Sequence, residues 1–264
     1  MHAIMLFGAT GRMGQSLVRA LRETPQLRLC GAITSPGSIR LGQDAAIEGD
    51  LTGVTLTSDP RAGLAIAAVA LDFSLATTVA ANALACCEAG VPILVGATGY
   101  DGATRDALER AAKRIAVLIA PNTSVGVNVM AKLVSLATRS LGTDYEVDIA
   151  EAHHRLKRDA PSGTALALGE VVAAVRGQPL VDLAVYEHRA NSEPRPPGSI
   201  GFAAVRAGDV VGEHTVWFTA DGERIEITHR ATDRMTFARG ALRAARWLVG
   251  RPAGVYGMAQ VLGL

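Results

Sequence analysis

Short, continuous apolar runs recur through the first half of the chain. Residues 3–7, 27–33, 68–74, 91–95 and 115–120 are such runs, as expected of strands buried on both faces of a parallel sheet. Helical periods fill the gaps over 15–21, 76–88 (stopped by Gly90) and 101–114. Strands alternating with helices imply crossover connections and a parallel α/β sheet. A helix over 126–141 leads out of this region.

The pattern then changes. Residues 145–150 alternate apolar and polar, the period of a half-buried strand, and 165–175 reads as a helix. The polar, proline-rich stretch 188–198 reads as a loop. Strand-like runs follow over 200–206, 210–220 and 223–230, the last two flanking Asp221-Gly222, a hairpin signal. A helix over 236–249 returns to the first region. The expected architecture is α/β: an N-terminal Rossmann-like parallel-sheet domain (1–124 with 234–264) that binds a dinucleotide, plus a C-terminal α+β domain (125–233) for substrate binding and oligomerisation. The sheet of that second domain is expected to be open and mixed or mostly antiparallel. Its edges and bare face need cover, and a homotetramer formed through this sheet is the expected assembly.

Composition narrows the function classes. Of 264 residues, 49% are hydrophobic and 19% charged, so the chain can bury a sizeable core. A formal net charge of +1 gives no reason to expect nucleic acid or an acidic membrane surface as partner. The first apolar run stops at Gly8 without a basic segment before it, which suits a strand and not a signal peptide. No apolar run is long enough to span a bilayer. Cys30, Cys86 and Cys87 lack metal-ligand spacing and sit in apolar surroundings, as in a reducing, cytoplasmic setting. No metal is expected.

Three stretches carry candidate chemistry. Gly8-Ala-Thr-Gly-Arg-Met-Gly14 follows the first strand and opens a helix. There, glycines allow a pyrophosphate to approach the backbone at the helix N-terminus. The alternative is a plain turn with glycines for packing. Gly96, Ala97 and Thr98, and Ala120, Pro121, Asn122 and Thr123, also fall at strand ends and should line the same crevice. The second strand ends in Thr34-Ser35-Pro36, without the acid that holds the ribose hydroxyls of NAD. Arg40 and Arg12 suit a 2′-phosphate, although Arg40 can equally be a solvated cation. The third stretch, Glu151-Ala-His-His-Arg-Leu-Lys-Arg-Asp-Ala-Pro-Ser-Gly-Thr164, joins a strand to a helix start. It delivers His153, His154 and Lys157 toward a helix end whose N–H groups attract anions, a composition suited to a carboxylate substrate that must receive a proton. The plainer reading is a polar loop with solvated cations.

Together these motifs, with Pro121-Asn-Thr-Ser-Val-Gly-Val-Asn128, Gly208-Asp-Val-Val-Gly-Glu-His214 and Arg234-Met-Thr-Phe237, resemble the 4-hydroxy-tetrahydrodipicolinate reductase (dihydrodipicolinate reductase) family of lysine and diaminopimelate biosynthesis, end to end. The resemblance implies that a pyridine nucleotide, NADPH or NADH, reduces a small cyclic dicarboxylate. It implies His153 as proton donor and Lys157 as second catalytic group. His154, Gly163 and Thr164 would bind substrate carboxylates. Gly8, Ala9, Thr10, Gly11, Arg12, Met13, Gly96–Thr98 and Ala120–Thr123 would contact the cofactor. Many members carry an acid where Ser35 stands, so NADPH is expected to be favoured or both nucleotides accepted. Hydride transfer further requires that the second domain close over the first. Two other classes fit parts of the pattern: another two-domain dehydrogenase of amino-acid metabolism, and a nucleotide-sensing module without catalysis. The first, in its phosphorylating semialdehyde form, calls for a nucleophilic cysteine at a helix start. The second has no use for the His-His/Lys cluster.

Overall fold

The computed structural model describes residues 1–187 and 194–264. Residues 188–193 of the expected proline-rich loop lie outside the described residues. The chain divides into two compact units, Met1–Val125 with Arg234–Leu264, and Gly126–Asp233.

The first unit begins with β1 (His2–Phe7), α1 (Arg12–Arg22) and β2 (Leu27–Ile33). Residues 34–67 carry no strong hydrophobic period, and side-chain bonds set much of their path. Asp44 accepts from the backbone N–H groups of Ala46 (2.8 Å), Thr52 (3.0 Å) and Gly53 (2.8 Å), gathering the loop around one carboxylate. A two-residue β3 (Leu56–Thr57) and a single-turn α2 (Arg61–Leu64) follow, too short to show a period. Then come β4 (Val69–Asp72), α3 (Val79–Ala89), β5 (Ile93–Val95), α4 (Gly102–Ala112) and β6 (Ala116–Ile119). Where the period predicts helix from residue 76, the chain makes a 3-10 turn over Ala76–Thr78. The Thr78 hydroxyl donates to the Leu75 carbonyl there (2.9 Å), a local bond that competes with the regular helix.

The second unit holds most of α5 (Val125–Leu141), β7 (Glu146–His153), α6 (Gly163–Arg176), α7 (Leu180–Leu183), β8 (Ala184–Val185), β9 (Ile200–Arg206), β10 (Gly212–Ala220) and β11 (Glu223–Ala231). Their sheet runs β11-β10-β7-β9-β8. The sheet is mixed, within the expectation: β10 pairs antiparallel with β11 and β7, and β9 pairs parallel with β7 and β8. The cause is α6, since a strand reached through a helical crossover can lie parallel, whereas a hairpin cannot. One sheet face is the core: Val147, Ile149, Ile200, Val216 and Phe218 pack with Val134, Leu168 and Val172 of the helices.

The chain returns to the first unit through α8 (Met235–Leu248), β12 (Gly254–Tyr256) and α9 (Met258–Leu262). Ala238, Ala241, Leu242, Ala245 and Leu248 form the buried stripe of α8 at helical spacing. The completed sheet reads β12-β6-β5-β4-β1-β2-β3, with every pairing parallel. The order reverses between β1 and β4. In such sheets ligands bind beyond the carboxyl ends of the strands at that switch point.

Candidate active site

In the first unit the switch point is built from backbone. Phe7 ends β1, and Gly8 turns the chain with φ of +76°, which side chains rarely tolerate. A Cβ at Gly8 would stand 2.6 Å from the Phe73 carbonyl oxygen beyond β4. A Cβ at Gly14 would run into the carbonyls of Gly8 and Ala9. Gly11 is the N-cap of α1, and no side chain caps that helix. An uncapped helix start beside a glycine turn suits an external anion such as a pyrophosphate.

Two clefts flank this turn. One, of about 580 Å³, is lined by Met13, Phe73, Phe237, Gly96–Thr98 and Ala120–Thr123. Gly96 matters for its shape, because a Cβ there would collide with the Phe73 ring. The other, of about 360 Å³, is lined by Thr10, Gly11 and Arg12 with Arg19, Glu48 and Arg234. Of the expected cofactor residues, Thr10–Met13, Gly96–Thr98 and Ala120–Thr123 line these two depressions, and Gly8 and Ala9 form the turn beside them. Ser35 (exposed) and Arg40 (half-buried) follow β2 and line neither of them. Thr34 is tied to the turn instead, its hydroxyl 2.9 Å from that of Thr10. The two clefts on either side of the turn and the uncapped helix start fit a dinucleotide.

In the second unit the site is built from side chains. The alternation of β7 places Val147, Ile149, Glu151 and His153 on the buried face. The first two join the core, and the last two pair with each other. His153 Nδ1 lies 2.6 Å from Glu151 Oε2. Register sets Arg206 of β9 directly beside His153 and His214 of β10 directly beside Glu151. The Arg206 guanidinium grips Glu151 with two bonds of 2.8 Å. Burial alone would raise the Glu151 carboxyl, but the bonds from Arg206 and His153 outweigh it and hold it below the usual carboxylate range.

Ser162 joins this network to α6. Its side chain caps the helix by accepting from Ala165 N–H (3.2 Å), its own N–H donates to Glu151 Oε1 (3.1 Å), and its hydroxyl lies 3.0 Å from His214 Nε2. The His153 and His214 rings meet edge to face with centroids 5.1 Å apart. Burial pushes His214 down to about 4, with the charges of His153 and Lys157 acting in the same direction.

The structure thus brings His153 to the mouth of α6, where Gly163 and Thr164 form the first turn. His154 lies just past the strand, half-buried, and its carbonyl accepts from Lys157 N–H (3.1 Å). The Lys157 ammonium is held by Asp159 at 2.8 Å, and the Asp159 carbonyl accepts from Arg206 (2.6 Å). Glu151, Arg206 and His214 are the residues that sequence reasoning gave no role. Glu151 and His214 stand inside the motifs, one acid and one histidine among several polar neighbours. Nothing local marks Arg206, which lies far along the chain and reaches Glu151 only through strand pairing.

Comparisons with known proteins show which family the chain resembles. The N-terminal model of dihydrodipicolinate reductase matches residues 2–123 and the C-terminal model matches 126–262. A 4-hydroxy-tetrahydrodipicolinate reductase of Anaeromyxobacter dehalogenans is 48% identical over 266 residues, covering 100% of this chain and 98% of its own length. One from Cupriavidus pinatubonensis is 48% identical over 262 residues, covering 99% of each chain. Among solved structures, the fold resembles a dihydrodipicolinate reductase from Paenisporosarcina sp. TG-14 with dipicolinate bound (TM-score 0.78, 22% identity, 98% and 99% coverage). It is less similar to aspartate semialdehyde dehydrogenase II of Vibrio cholerae (TM-score 0.55, 14% identity, 94% and 98% coverage). With both family models matched along nearly the whole chain, and with identity close to one half over full length, the chain belongs to the dihydrodipicolinate reductase family.

Proposed function

We propose that this chain reduces 4-hydroxy-tetrahydrodipicolinate to tetrahydrodipicolinate in lysine and diaminopimelate biosynthesis, with His153 as proton donor. Family membership makes it an NAD(P)H-dependent oxidoreductase. The observation that carries the role of His153 is its anchoring by Glu151 at the end of β7, tied through Ser162 to the start of α6. When bound, the reduced pyridine nucleotide supplies a hydride. The chain's own residues do the rest. The proton leaves from Nε2 of His153, since Nδ1 is engaged by Glu151. Lys157 supplies positive charge beside the developing anion. His154 and the first-turn N–H groups of Gly163 and Thr164 take the ring carboxylates.

In the first unit, the uncapped start of α1 takes the pyrophosphate, and Gly96–Thr98 and Ala120–Thr123 form the wall of the larger cleft. Without an acid at Ser35, and with Arg12 and Arg40 able to face a 2′-phosphate, NADPH is used at least as well as NADH. A phosphorylating semialdehyde dehydrogenase is disfavoured because Cys86 is buried inside α3, where burial, with Asp72 adding to it, pushes the thiol up and away from nucleophilic form. The bare face of the second unit's sheet carries half-buried Trp217 and exposed Val205, and suits a homotetramer interface. Among the described residues no helix is long and apolar enough to cross a membrane. A cytoplasmic enzyme acting on a soluble dicarboxylate fits all of this.

The test is the loss of NADPH absorbance when 4-hydroxy-tetrahydrodipicolinate, freshly made by its synthase, is added to the purified protein. Turnover dependent on that synthase is expected. No turnover with either nucleotide, in a protein that binds both, would favour the sensing module.

A further inference from the structure

We infer that Glu151 is a positioning residue for His153, and that Arg206 and the N–H of Ser162 fix Glu151 for that task. The inference rests on the reading of His153 as proton donor. Glu151 and His153 are two residues apart on β7 and so share a face. The Glu151 side chain has no solvent exposure and that of His153 only 11%. Burying a carboxylate is costly unless its lone pairs are satisfied. Here they are: Arg206 offers two bonds of 2.8 Å, Ser162 N–H one of 3.1 Å, and His153 Nδ1 one of 2.6 Å.

An ionised carboxylate can only accept, so Nδ1 of His153 must be the donor and carry a proton in every state of the ring. This leaves Nε2 as the nitrogen that exchanges its proton. Gly212 of β10 keeps that nitrogen clear, since a Cβ there would stand 3.0 Å from it. Arg206 and Glu151 alone would make a complete ion pair between β9 and β7. The second carboxylate oxygen, however, is shared between Arg206 and the imidazole, which couples ring orientation to the clamp. The clamp also holds the start of α6 through Ser162. One carboxylate thereby sets both the donor nitrogen and the helix end that would take the substrate carboxylate, the logic by which an acid orients a histidine in hydrolytic triads.

The test uses the full-length protein. Nitrogen-15 NMR of the wild type, with His153 assigned by comparison with His153→Gln, reads the neutral tautomer. We expect Nδ1–H, and a predominantly Nε2–H ring would overturn the inference without any Glu151 variant. Glu151→Gln should lower kcat roughly tenfold or more, leave KM for the nucleotide within about twofold, and reduce the share of Nδ1–H tautomer. A folded Glu151→Gln with wild-type kcat and tautomer overturns the inference, as does a fall in kcat and Tm with the tautomer unchanged, which marks a structural clamp only. His153→Ala separates the two readings. If it turns over at near wild-type rate, the donor assignment itself fails, whatever the tautomer shows.

Discussion

The two sites are made of different material. In the first unit the cradle is backbone: a glycine turn at φ of +76°, an uncapped helix start and strand ends. In the second unit the candidate groups are side chains brought from three strands, with Glu151 and His153 from β7, Arg206 from β9 and His214 from β10. A backbone cradle depends on a few contiguous residues and tolerates variation around them. A side-chain site depends on register, so one slip would send His153 and Glu151 to the other face. The contrast predicts that damage in the second unit falls on chemistry and proton equilibria, while damage in the first falls on nucleotide affinity.

The largest expected effect is on the second unit. His153→Ala, and separately Lys157→Ala, should lower kcat by about a hundredfold or more, the scale for losing a proton donor or its charged neighbour. Nucleotide dissociation constants, measured by fluorescence, should stay unchanged. A comparable loss of nucleotide affinity in either variant would break the division of labour.

Next comes the buried histidine. His214 titrates near 4 in the folded chain, and an unfolded histidine near 6.5. Between these values the unfolded chain binds a proton that the folded one refuses. Stability is therefore full above about pH 6.5 and falls as pH drops toward about 4, by on the order of 3 kcal/mol in all. His214→Gln should flatten that fall. Urea unfolding at pH 7.5 and 5 reads both, and equal losses in wild type and variant would put the pH dependence elsewhere.

The first unit should respond differently. Gly8→Ala forces a side chain into a left-handed turn and against the Phe73 carbonyl. It should cost about 1–3 kcal/mol of stability and weaken NADPH binding. Enzyme saturated with nucleotide should recover most of its kcat. A kcat loss that saturating nucleotide cannot repair would sink the view that the turn serves binding alone.

The smallest effect concerns cofactor choice. Ser35→Asp restores an acid at the end of β2 and should move the ratio of kcat/KM values toward NADH by roughly tenfold, about 1.4 kcal/mol. Ser35 lies outside both clefts described, so a null result would shift attention to Arg12 and Arg234, which line the smaller one.

Much of the first unit is legible in the chain. Its strands are continuous apolar runs and its turn a contiguous glycine motif, and both dictate local conformation directly. The loop over 34–67 is not legible, because the Asp44 carboxylate organises it through bonds to residues up to nine positions away. Nor is β12, three residues long, whose partner β6 lies more than a hundred positions earlier. In the second unit the cluster from Glu151 to Thr164 announces chemistry but not the partners of its members.

The sequence by itself determined the alternation of elements, the glycine turn, the polar cluster and, through its motifs, the family. Those features depend on steric and hydrogen-bonding rules that act over a few residues. Tertiary structure alone decided that β9 lies parallel to β7, that Arg206 meets Glu151, and that His214 is buried against Ser162. Strand order and register follow from how α6 and the sheet share one core. No local period encodes a pairing between residues fifty positions apart.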